Sequence, residues 1–277
     1  MPGATRVNSL APNLRRATNL AHRRLCIHAG PRLRLYPVLG FPKSGTTWLC
    51  QMLAHALAIP FAQLPLLPVL HPAVLHGHWP YDPRLRRVTF VVRDGRDTMV
   101  SFYFFYKLMH DAGEPTALRT LYPAGADLDD VRTNLPRFIE HVFRQPMGVR
   151  ATWPEYNRAW LGRPGVACTR YESLRAEPDS ELTRLCRELG TDPGPERIRA
   201  AVEGWDMSRV TGRAHGQEDR SSFVRKGVSG DWRNAFSDEA RALFADLAGD
   251  ALVELGYESS PDWRDWQGPP HGAPTAQ

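Results

Sequence analysis

Residues 42–48 read PKSGTTW, directly after the apolar run LYPVLG at 35–40, and helical apolar spacing begins at Thr46. A strand that turns into a helix leaves the first helical N–H groups unpaired, with the positive dipole end facing the turn. Such a turn suits an anion. Gly45 allows close backbone approach, Ser44, Thr46 and Thr47 carry hydroxyls, and Lys43 adds a full charge. The residue order narrows the anion. A magnesium-triphosphate loop carries its Lys directly before the Ser/Thr, after the second Gly, whereas here Lys43 precedes Gly45. An ordinary triphosphate is therefore not the expected ligand. Trp48 would stack on a base or simply pack its helix.

Two further basic segments follow. The apolar run 88–92 (VTFVV) leads into Arg93-Asp94-Gly95-Arg96-Asp97, and Ser101 comes eight residues after Arg93. A guanidinium fork at a strand end matches phosphate geometry; a salt bridge from Arg93 to Asp94 or Asp97 is the competing reading. Residues 223–232 (FVRKGVSGDW) place Arg225, Lys226 and Gly227 in one turn, which is either a second anion clamp or a basic turn with Trp232 packed beneath it. Three imidazoles cluster ahead of the 88–92 run, at His71, His76 and His78, the last two within HGHWP. An imidazole titrates near neutrality and suits general-base work.

PKSGTTW resembles the 5′-phosphosulfate loop of the cytosolic-type sulfotransferases, which use PAPS (3′-phosphoadenosine-5′-phosphosulfate) and release PAP (3′-phosphoadenosine-5′-phosphate). Arg93 with Ser101 is similar to that family's 3′-phosphate motif, RKGVSGDW to its RKGxxGDW segment, and Tyr171-Glu172-Ser173-Leu174 to its YE-x-L stretch. The resemblance runs from about residue 36 to 236. It implies that Lys43 contacts the oxygen bridging phosphate and sulfate and stabilises the leaving nucleotide. Ser44, Gly45, Thr46 and Thr47 hold the 5′-phosphate, Trp48 and Tyr171 lie near adenine, and Arg93, Ser101, Arg225, Lys226 and Gly227 hold the 3′-phosphate. His78 falls at the catalytic base, and His76 stands where the family commonly has Lys. The implied reaction is sulfuryl transfer to a hydroxyl, without a metal. A dimer segment known in some members follows GDW; here Asp238 replaces an apolar position, so that pairing mode is not expected.

The elements that must position these groups alternate. Strands are predicted at 35–40, 88–92 and 166–169, and helices at 46–57, 96–109, 181–189, 196–202 and 238–255, the last capped by Ser237. This predicts a three-layer α/β fold, a central parallel sheet flanked by helices, and the resemblance implies the P-loop-like sulfotransferase type of it. The Pro-rich stretch 60–75 and residues 111–136 read as loops, and 211–222 as a polar, mobile segment. Leu10, Leu14, Ala17, Ala21 and Leu25 recur at helical spacing between arginines. The expected organisation is a basic arm at 1–34, one catalytic domain at 35–258 and a loosely ordered tail at 259–277.

Bulk properties agree without deciding. The chain has 277 residues, 42% hydrophobic, with a net charge of +5, enough for a sizeable core and an attraction to anions. No Asp or Glu precedes Asp82, while seven Arg and one Lys do. A peripheral membrane contact through the basic helix is thus an alternative to packing. Four separated cysteines form neither a zinc pattern nor a disulfide framework and point to a reducing, cytoplasmic setting. Neither a spanning run of about 18 apolar residues nor a signal peptide is recognisable. The expected acceptor is a phenol, an alcohol or a lipid-like or natural-product hydroxyl, with apolar residues 64–75, 102–106 and Trp205 as candidate lining. Nucleic acid is not an expected partner. The rival readings are a P-loop small-molecule kinase, a non-catalytic polyanion-binding module and a relative that binds nucleotide without turnover.

Overall fold

The computed structural model describes residues 11–63, 65–260 and 263. Leu10, Leu64 and most of the expected tail lie outside them. The chain forms two compact units.

The first unit holds the sheet. Strands β1 (Leu35–Gly40), β2 (Phe61–Ala62), β3 (Ala73–Gly77), β4 (Val88–Val92) and β5 (Val166–Arg170) lie in the order β2-β3-β1-β4-β5. The pairings of β1 with β3 and β4, and of β2 with β3, are parallel. All residues of β1 and β4 are buried, whereas β5 alternates. This explains why the central strands read as continuous apolar runs and the edge strand does not. Pro37 lies inside β1, where its missing N–H would interrupt a ladder, and β4 pairs with β1 only from Val38 onward. Helices α1 (Ala11–His28), α2 (Gly30–Leu33), α3 (Thr46–Leu57), α8 (Tyr171–Ala176), α9 (Pro178–Glu188) and α10 (Pro195–Gly204) complete this unit. Leu49, Leu53, Leu182, Leu185, Ile198 and Ala201 pack with Val38 and Val74 in one apolar cluster.

The second unit is built of helices and loops. It contains the loop Phe41–Gly45 and helices α4 (Gly95–Asp111), α5 (Leu118–Leu121), α6 (Val131–Arg144), α7 (Trp153–Trp160), α11 (Met207–Thr211), α12 (Trp232–Ala235) and α13 (Asp238–Glu254). Asp94 caps α4 by accepting from the Arg96 N–H at 2.9 Å, and Ser237 caps α13 as its sequence position predicts.

Several expectations fail locally. The stretch 60–75 is not wholly irregular: Phe61 and Ala62 pair with Val74 and Leu75, and the Pro60 carbonyl accepts from Val74 N. The prolines stay outside these short pairings. Residues 111–136 contain α5 and the start of α6, whose cap, Asp130, accepts from Thr133 N. Pro136 sits inside α6, so a residue that reads as a breaker is tolerated there. Residues 211–222 are stitched by Arg213, which donates to the carbonyls of Gln217 and Arg225. Trp263, expected in a loose tail, is buried edge-on against Trp232 at 5.8 Å.

The buried stripe of α1 is also rotated from the predicted one. Leu14 is exposed, while Thr18, His22 and Cys26 face inward. Thr18 donates to the Leu66 carbonyl, and the Val69 N–H donates to His22 Nε2. Backbone groups of the Pro-rich loop, which no sheet ladder satisfies, recruit polar side chains instead. No helix among the described residues is long and apolar enough to cross a membrane.

Candidate functional site

In the second unit, the phosphate-loop residues and both basic segments share one hydrogen-bonded assembly. The loop turns tightly, with Ser44 N donating to the Phe41 carbonyl at 3.1 Å. Lys43 and Gly45 both have positive φ, 70° and 90°. Gly adopts this region without cost, but a Lys there is held in place by its surroundings. Arg93 is part of that constraint: it is 9% exposed, and its Nη1 donates to the Lys43 carbonyl at 3.2 Å while Nη2 donates to the Val228 carbonyl at 3.1 Å. One guanidinium thus ties the loop to the RKG segment. Asp94 pairs with Arg96, and Asp97 accepts from the N–H groups of Gly230 at 2.6 Å and Trp232 at 2.9 Å. Burial, outweighing the attraction of Arg93, raises the Asp97 carboxyl to about 6.

The Lys43 ammonium meets rings rather than a carboxylate. Nζ lies 3.8 Å from the Phe223 ring centroid and 4.6 Å from that of Phe105. Burial, then the Arg93 charge, pushes Lys43 down to about 7. Arg225 and Lys226 are each paired with Asp231, at 2.5 and 2.6 Å, and Arg225 also pairs with Glu218. Asp231 falls to about 2, because these cations outweigh its burial. Gly227 takes φ +61°. Ser101 is half-buried on α4, two turns from its start. The assembly fits a phosphosulfate nucleotide: the Ser44 hydroxyl is buried without a hydrogen-bond partner, and Lys43 pairs with no carboxylate among the described residues.

The first unit carries the imidazoles and the aromatic candidates. His76 ends β3 with Gly77, and its Nε2 lies 2.9 Å from the Thr46 hydroxyl at the start of α3. His78 Nδ1 lies 2.6 Å from the Gly40 carbonyl. A carbonyl only accepts, so Nδ1 carries the proton and Nε2 is the basic nitrogen of the neutral ring. The two rings meet edge-on at 4.7 Å. Burial and the neighbouring His78 push His76 down to about 3, so His76 is neutral at ordinary pH and a poor proton acceptor. His71 is exposed beside the Pro72 carbonyl. Trp48 and Tyr171 meet edge-on at 5.9 Å, and Trp48 Nε1 donates to the Trp205 carbonyl at 2.8 Å. Trp205 therefore sits with the adenine candidates. Thr47 is half-buried in the first turn of α3. Gly40 admits no side chain: a Cβ would come 2.6 Å from the Val91 carbonyl and 2.8 Å from Thr46 Cγ2.

A sequence model described as "Sulfotransferase domain" matches residues 70–256. The chain belongs to the sulfotransferase family. It is accordingly a sulfotransferase that takes PAPS as donor and releases PAP. Among curated relatives, sulfotransferase 1E1 of Cavia porcellus is 21% identical over 247 residues, 72% of this chain and 77% of that protein. Human sulfotransferase 2A1 is 21% identical over 263 residues, 81% of this chain and 86% of that one. Mouse sulfotransferase SULT7A1 complexed with PAP superposes with a TM-score of 0.58 at 19% identity, covering 82% of this chain and 88% of that chain. Retinol dehydratase in a complex with retinol and PAP gives 0.60 at 15% identity, covering 89% and 95%. These similarities show the fold, a parallel sheet flanked by helices, as the alternation of elements predicts.

Sequence reasoning gave Asp97 only as a possible partner of Arg93, gave Asp231 and Phe223 no role of their own, and placed Phe105 only within the 102–106 acceptor-lining run. Phe105 lies one helical turn after Ser101, and Phe223 two residues before Arg225, so helix periodicity and adjacency were the available signals. Among the described residues, no group of three or more His, Cys, Asp or Glu could hold a metal ion.

Proposed function

We propose that this sulfotransferase sulfates the hydroxyl of a small, apolar phenol or alcohol, with His78 as general base and Lys43 as the cation at the leaving group. The observation that carries the nucleotide part of this reading is the Arg93 fork, which joins the Lys43 carbonyl to Val228 in the RKG segment. PAPS supplies an activated sulfuryl group on a phosphate leaving group. Lys43, Ser44, Gly45, Thr46 and Thr47 hold the 5′-phosphosulfate. Arg93, Ser101, Arg225, Lys226 and Gly227 hold the 3′-phosphate, with Arg225 and Lys226 turning from Asp231 toward it. Trp48 and Tyr171 hold adenine. His78 takes the acceptor's proton on Nε2, because Nδ1 is engaged by the Gly40 carbonyl. The Lys43 ammonium stabilises negative charge as the bond to the leaving oxygen breaks.

The apolar acceptor is supported by two kinds of observation. Leu66, Leu67 and Leu70 are exposed on the loop before β3, and solved neighbours are complexes with retinol or androsterone. Phe102, Tyr103 and Phe104 are buried core, which leaves half-buried Phe105 and Tyr106 as the aromatics of that helix open to acceptor lining. The free cysteines, three of them buried, fit a cytoplasmic enzyme. The test is incubation with labelled PAPS and a panel of phenols, aliphatic alcohols, sterols and sulfated glycans, with mass detection of product. Sulfated phenol or apolar alcohol is the expected product; transfer confined to glycans would overturn the acceptor class. ATP binding as tightly as PAP would overturn the residues assigned to the 3′-phosphate.

A further inference from the structure

A half-buried lysine close to an arginine would ordinarily be expected to find a carboxylate. Lys43 is pressed by Arg93, yet no acidic side chain pairs with it among the described residues. Its ammonium lies instead over two aromatic faces, Phe223 at 3.8 Å and Phe105 at 4.6 Å. The two rings stand perpendicular, with centroids 6.0 Å apart, and form a two-walled box around the charge. Phe105 comes from α4, which carries Ser101, and Phe223 leads into the RKG segment. Phe223 is 54% exposed, so its ring can be changed without disturbing the core.

We propose that Phe105 and Phe223 are positioning residues that hold the Lys43 ammonium, charged and in place, for the sulfuryl donor. Ring quadrupoles attract a cation without adding an anion. A carboxylate in their place would neutralise Lys43 and repel the incoming phosphosulfate. The rings also oppose the two influences that disfavour the charge, burial and Arg93. Arg93 is the charged group bearing on Lys43, and it in turn faces Asp97. The proposal rests on the reading of Lys43 as the cation at the leaving group.

The experiment is a double-mutant cycle in the full chain. Phe223→Leu keeps apolar bulk at an exposed site and removes the ring face. It should lower kcat roughly five- to thirtyfold, ~1–2 kcal/mol at about 1.4 kcal/mol per tenfold, while Phe223→Tyr restores most of the rate. Because Lys43 must stay protonated, the alkaline fall in kcat should shift to lower pH in Phe223→Leu. In a Lys43→Met background, the Phe223→Leu substitution should have no further effect on kcat. Phe105→Leu should behave in the same way. An unchanged rate and pH profile in both Leu variants, or a Phe223→Leu loss of the same size with Lys43 absent, overturns the box. Full activity in Lys43→Met alone would instead sink the role assigned to Lys43, so the two failures are distinguishable.

Discussion

Arg93→Ala separates two roles that the same geometry permits. The Arg93 fork holds the carbonyls of Lys43 and Val228 at 3.2 and 3.1 Å, so the residue could act as a stitch and nothing more. Hydrogen bonds from a charged donor contribute about 1.5–3 kcal/mol each, and the longish distances place these at the low end. Losing both should destabilise the second unit by about 3 kcal/mol and loosen the loop for any ligand. A 3′-phosphate contact would add a loss specific to nucleotides that carry that group. Removing one partner of a buried charge pair costs about 2–4 kcal/mol, or roughly 30- to 1000-fold in Kd. Isothermal titration of PAP and of adenosine 5′-phosphate with parent, Arg93→Ala and Arg93→Lys reads the difference directly. PAP should weaken in Arg93→Ala by this factor beyond the weakening of adenosine 5′-phosphate. Arg93→Lys should fall between, because it keeps the charge but not the fork. Equal weakening of both nucleotides would refute the 3′-phosphate assignment and leave Arg93 as a stitch.

His78→Ala should lower kcat roughly 100- to 10,000-fold while PAP affinity stays near parent, and His76→Ala should lose less, since burial and His78 make His76 a weak base; a larger loss in His76→Ala would reverse the assignment of the base. Gly40→Ala should lower stability by about 1–3 kcal/mol, because its Cβ would meet the Val91 carbonyl, a backbone atom that cannot rotate away; an unchanged Tm in calorimetry would contradict the close approach.

The legibility of the site followed from how local each signal is. The 42–48 loop, the strand at 35–40 and the helix at 46–57 are readable because polypeptide continuity alone puts a turn between a buried strand and a helix start. Ser237 as a cap needs only its own backbone neighbours. By contrast, α6 was hidden by Pro136, which breaks the local pattern although its helix forms in the folded chain. The inward face of α1 was misjudged because periodicity ranks apolar residues, while the Pro-rich loop demanded hydrogen-bond partners from Thr18 and His22.

The sequence by itself determined the chemistry that can be recruited: a lysine-bearing anion loop, two basic segments, an imidazole pair and strands apolar enough to be covered on both faces. Only the tertiary structure decided the states of those groups. Which nitrogen of His78 carries the proton depends on the Gly40 carbonyl, 38 residues away. What holds the Lys43 charge depends on rings brought from α4 and from residue 223. What Arg93 grips depends on carbonyls 50 and 135 residues away in the chain. Protonation, desolvation and charge pairing depend on distances of a few ångströms, and residues that far apart in sequence reach such distances only through the fold.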